Sequence, residues 1–170
     1  MKKLFFALAL ACTLQVAYAQ KSDADMQKAV DKALAAAQDA KKATKAATWI
    51  NLGKAYMTAY QNPLANVTQG IDKTTFGMMF KERPSGVEKV ELDGKTYEKQ
   101  IFSHFNAYFN EMGLLTITEV TRPSVQGDLL GEAAKAYSKA FELGAKDKDV
   151  DPKIQEIVDA MYNDGFAAYQ

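Results

Sequence analysis

The side chains able to do chemistry are few, and their spacing does not favour it. His104 is the only histidine, and Ser103 precedes it. A serine nucleophile needs a base within hydrogen-bond reach and an acid that orients that base. Neighbours on a strand point to opposite faces, so Ser103 and His104 read as adjacent in sequence only. Asp147, Asp149 and Asp151 alternate as calcium ligands do, but the glycine and closing glutamate of a calcium loop do not follow at the required offsets. That run reads as a solvated linker. No His, Cys or carboxylate group has metal-ligand spacing, and no glycine-rich phosphate loop occurs. The chain is therefore expected not to be an enzyme, and to use neither cofactor nor metal.

The first 19 residues read as an export signal. Lys2 and Lys3 form a positive head, Leu4 to Val16 is apolar apart from Thr13 and Gln15, and Ala17-Tyr18-Ala19 is an A-x-A cleavage site. The apolar run is too short to span a bilayer, so no transmembrane segment is expected. Cys12, the only cysteine, lies inside the run, where it is poorly placed to become a lipidated first residue. The mature chain would begin at Gln20 in the periplasm or at the cell surface, and fold without disulfides. Its 19 basic and 21 acidic side chains leave a net charge of −2, with no basic patch for nucleic acid. About 150 residues suffice for one domain, expected at 20–170.

An α+β fold is expected. Helical spacing marks 22–40 (Met26, Val30, Ala33, Leu34, Ala37) and 46–60, which stops at Asn62-Pro63. From 63 to 127 the period changes to two, predicting an inserted antiparallel sheet over about 74–121. Asp93-Gly94 signals a two-residue hairpin pairing Leu92 with Lys95, Val90 with Tyr97, Glu88 with Lys99 and Lys89 with Glu98. A second hairpin, with Gly113 left-handed in a bulged loop, pairs Phe109 with Leu115 and Ala107 with Ile117. The alternation of Phe76, Met78 and Phe80 adds a strand over 75–80. Helical spacing resumes over 128–143. A polar linker at 145–150 and an Asp151-Pro152 start then lead into a last helix over 152–169.

Trp49, Leu52, Gly53 and Tyr56 stand in the order W-x2-L-G-x2-Y, which resembles the first-helix signature of a tetratricopeptide (TPR) repeat. Ala133, Tyr137, Ala140, Phe141 and Leu143 are similarly spaced to the second helix of that unit. Ala133 follows Gly53 by 80 positions, where the family's period allows about 12. The resemblance thus implies a split repeat with a β insertion, of an exported bacterial type. It covers about half the mature chain. Because TPR helix pairs do not bury their faces alone, either the insertion supplies packing or further repeats follow Gln170. Further repeats are the favoured expectation.

The resemblance implies a non-enzymatic scaffold for a protein or peptide partner in the bacterial envelope. Trp49, Leu52, Gly53, Tyr56, Ala133, Tyr137, Ala140 and Phe141 would pack the repeat. Ile50, Asn51, Lys54, Met57 and Thr58 would face the partner, with Lys54 and Asn51 suited to a peptide carboxylate. The alternative is a small periplasmic ligand-binding protein whose insertion, through Tyr97, Tyr108 and Phe80, holds an apolar or carbohydrate ligand. The Phe76-Gly77-Met78-Met79-Phe80 run reads as sheet-to-helix packing, with an adaptable binding surface of Met and Phe as the alternative.

Overall fold

The computed structural model describes residues 20–168, so the expected export signal lies outside the described residues. Helix α1 (Asp23–Gln38) starts at Ser22, whose hydroxyl accepts from the Asp25 N–H. It ends in a tight turn. The Asp39 carboxylate accepts the Lys42 and Lys41 N–H groups, each at 3.0 Å, and these bonds hold it below the usual carboxylate range. The Trp49 indole donates to the Ala43 carbonyl at 2.8 Å, fixing the same turn to helix α2 (Ala46–Gln61). Asn62 and Pro63 end α2 in a 3₁₀ turn over Asn62–Leu64. Asn62 is buried. Its amide bonds the Lys21 backbone in both directions and donates to the Ser124 hydroxyl at 2.8 Å.

Residues 75–80 are not a strand. Residues 75–79 fall in helix α3 (Lys73–Met79), capped by Asp72, whose side chain accepts from the Thr75 N–H, and Phe80 closes its C-terminus. Phe76 and Phe80 are four apart, so a helix also puts them on one side, where their rings stack at 5.4 Å. Met78, expected to alternate with them, is 74% exposed. The sheet accordingly begins at Gly86 and not near 74. Its strands β1 (Gly86–Leu92), β2 (Lys95–Ile101), β3 (Phe105–Phe109) and β4 (Leu115–Val120) form an antiparallel meander in that order.

The β1–β2 register is the expected one, set by Asp93 and Gly94 at φ 48° and 70°. Glu98, opposite Lys89, has its carboxylate 2.8 Å from Lys73 of α3. In the second hairpin Gly113 takes φ 73° and Phe109 pairs with Leu115 as expected, but Tyr108 then pairs with Ile117 and Ala107 with Thr118. The shift is a bulge between Tyr108 and Phe109 on the β3 side. Thr116 is the extra residue opposite, and its hydroxyl donates to the Tyr108 carbonyl at 3.3 Å. Ile117 therefore shares a face with Tyr108 and not with Ala107.

Helix α4 (Leu129–Glu142) is capped by Asp128 and closes at Gly144, φ 86°. The Ala145 N–H reaches the Ala140 carbonyl, and the Gly144 N–H reaches that of Phe141. The reversal is so tight that helix α5 (Asp147–Ala168) begins at Asp147, five residues before Pro152. The expected linker is thus the first turn of a helix. Val150 in that turn is 4% exposed in the helical core, and its burial offsets the bond that Pro152 cannot donate.

The helices stack in the order α1, α2, α4, α5, and β4 leans on α5. Leu52, Tyr56, Leu130, Ala133 and Tyr137 centre their core. A second core lies between α3 and one sheet face, built from Phe76, Phe102, Phe105, Phe109 and Leu115. Leu92 and Tyr108 are buried on the opposite face.

Candidate interaction site

Helix α2 lies between α1 and α4 in the stack, and its two sides have different fates. On the α4 side, a Cβ built on Gly53 would lie 2.6 Å from the Tyr137 ring. The glycine is therefore what lets the two helices touch. Leu52 and Tyr56 flank it, buried, and Ala133, Tyr137 and Ala140 face it with 0% exposure. Trp49 packs at the edge of this core, half-buried. Phe141, expected to pack here, is 54% exposed. It sits one residue past Ala140, and about 100° round a helix carries it off the buried arc.

Of the five expected partner-facing residues, the structure exposes Asn51, Lys54 and Thr58. Met57 is 3% exposed inside the helical core, and Ile50 packs against that core half-buried. The reason is α1, whose Met26 and Val30 enter the same core from the other side of α2. What remains is a narrow polar line at i, i+3, i+7. Along it, the Thr58 hydroxyl donates to the Lys54 carbonyl at 2.7 Å.

A second arrangement, absent from the sequence-based expectations, lies where α2 and α5 meet the sheet. The Tyr60 hydroxyl on α2 lies 2.8 Å from both carboxylate oxygens of Asp164 on α5. On the sheet, the Asn106 amide and the Tyr108 hydroxyl both donate to Glu119 Oε2 at 2.7 Å. Burial, reinforced by the neighbouring Glu119 charge, raises the Asp164 carboxyl above its usual value. The Tyr60 and Val120 hydrogen bonds oppose the rise. Burial first, and the Asp164 bond second, push the Tyr60 phenol up. Beside the pair lies a cavity of about 250 Å³ lined by Tyr60, Gln61, Leu64, Thr118, Glu156, Asp159 and Ala160. The signal was present in the pattern. Asp164 follows Ile157 by seven residues, so a carboxylate occupies the buried side of an apolar periodicity.

Ser103 and His104 do not stand on a strand. They form the turn between β2 and β3, closed by the Phe102 N–H to the Phe105 carbonyl. The Ser103 hydroxyl and N–H donate to Glu82, and His104 Nδ1 lies 2.9 Å from the Arg122 carbonyl. Among the described residues, no group of three or more His, Cys, Asp or Glu side chains is placed to hold a metal ion. Tyr108 is 2% exposed and Phe80 packs on the opposite sheet face, so these two and Tyr97 do not converge on one ligand. No described helix is long and apolar enough to cross a membrane. Comparison with protein-family models, with curated proteins and with solved structures finds no match.

Proposed function

We propose that this protein is a non-enzymatic interaction scaffold of the bacterial envelope, of tetratricopeptide type. The observation that carries the reading is the α2–α4 contact at Gly53 and Tyr137, two positions brought together across 84 residues of chain. A repeat helix pair needs this close approach, and here the sheet sits in the connection between its two helices. The binding strip is Asn51, Lys54 and Thr58. Lys54 supplies a charge and Asn51 an amide one turn away, a pair suited to a carboxylate of an extended peptide.

The test is a native pull-down from envelope extract, with the Lys54→Glu variant run beside it. A stoichiometric protein lost on charge reversal supports the reading. No protein, or one retained equally by the variant, counts against it.

A further inference from the structure

α1 makes its main contact with α2, and α5 with α4 and β4, so α1 and α5 stand at opposite ends of the stack. The outer side of α5 is apolar at i, i+4, i+7. Ile154, Val158 and Met161 are 36%, 51% and 46% exposed. Six acidic and two basic side chains share that helix, a net charge of −4. At the other end, the side of α1 opposite Met26, Val30 and Ala37 presents Ala24, Lys28, Lys32 and Ala35, all exposed. Residues 28–45 carry five lysines and two aspartates, net +3.

The two ends are complementary in charge and in relief. Small alanines leave space for Val158 and Met161. In a contact between the two ends, the apolar stems of Lys28 and Lys32 would cover the stripe, and their ammonium groups would face Asp151 beside it. A symmetric α5–α5 pairing would instead set two helices of charge −4 against each other. We infer that this chain associates with a second copy of itself head to tail, the outer face of α5 in one molecule docking on the outer face of α1 in the next. Such a contact uses different surfaces on the two molecules, so it does not stop at a dimer unless the rotation closes a ring. It involves neither Lys54 nor Asn51, and it stands whether or not the proposed scaffold function does.

Sedimentation velocity on the purified chain, from micromolar to millimolar concentration, tests this. The expected result is an average mass that climbs past the dimer at about 0.05 M salt and falls back at about 0.5 M. Val158→Asp disables the α5 end, and the double change Lys28→Glu, Lys32→Glu disables the α1 end. Each alone should weaken association by about tenfold or more. Mixed together, the two variants should form a one-to-one pair that grows no further, because one intact α5 meets one intact α1. A wild-type monomer at every concentration overturns the inference. So does a dimer that survives the lysine changes, or a mixture that fails to pair. Circular dichroism checks that the variants fold, with Met161→Glu replacing Val158→Asp if the latter does not. If both unfold, the stripe is core rather than surface, and the inference fails.

Discussion

The helical stack and the sheet insertion bury their cores by opposite means. Between α2 and α4 the contact is close because one partner at each point is small: Gly53 under Tyr137, with Ala133 and Ala140 fully buried. Between α3 and the sheet, six aromatic pairs of Phe76, Phe80, Phe102, Phe105 and Phe109 fill the space, with centroids 4.9–5.7 Å apart. The first core should tolerate little added volume, and the second little removed volume. They are joined by Val120 of β4, which packs on the helical core and whose backbone hydrogen-bonds the Asp164 carboxylate of α5.

The largest effects should come from truncating either core. Tyr137→Ala and Phe105→Ala are each expected to cost about 3–5 kcal/mol in denaturant unfolding. Trp49, the only tryptophan, packs at the helical core and reports on it. Because the cores are joined, Phe105→Ala should shift the Trp49 fluorescence transition as far as the circular dichroism transition. Two separated transitions would show that the regions are independent.

Adding volume or strain should cost less. Gly113→Val, forced to φ 73°, is expected to lose about 1–3 kcal/mol. Gly53→Ala drives a methyl into the Tyr137 ring, at about 1–3 kcal/mol, of which better helix propensity returns up to about 1 kcal/mol. A net loss near zero would mean that α2 and α4 slide apart at little cost. Smaller still, Tyr137→Phe should leave stability unchanged or raise it by up to about 1 kcal/mol, since the buried Tyr137 hydroxyl has no hydrogen-bond partner among the described residues. A clear loss would reveal a bond to that hydroxyl.

The smallest effect concerns pH. Asp164 has a native carboxyl raised above 3.8, so the native state holds this proton more tightly than the unfolded chain. Its contribution is full below 3.8 and is lost as pH rises through the native value. Asp164→Asn should flatten the stability curve over that window, read by thermal unfolding at stepped pH. An unchanged slope would place the dependence on other groups.

What was legible follows from how local each signal is. Asp93-Gly94 fixed a whole register because a two-residue turn leaves the pairing no freedom. The Trp49 to Tyr56 stripe placed α2 because helical period and side-chain type agree there. Residues 75–80 misled, because Phe76 and Phe80 are compatible with period two and with i, i+4 alike. The Asp72 cap and the exposure of Met78 decide for the helix. Pro152 suggested a helix start, but burial of Val150 extends α5 past it. The β3–β4 bulge lies where Thr116 finds a carbonyl, which no spacing rule states. Met57 is partner-facing only by the resemblance, and nothing in its own helix signals that α1 covers it. Tertiary packing alone determines that.

In the proposed function a partner is held on the exposed line of α2, at Asn51, Lys54 and Thr58. Calorimetric titration of the captured partner into wild type and Lys54→Glu tests it most directly. Lys54 is exposed, so the change should leave the melting temperature nearly unaltered while weakening binding by about tenfold or more. Equal affinities with equal stability would contradict the claim.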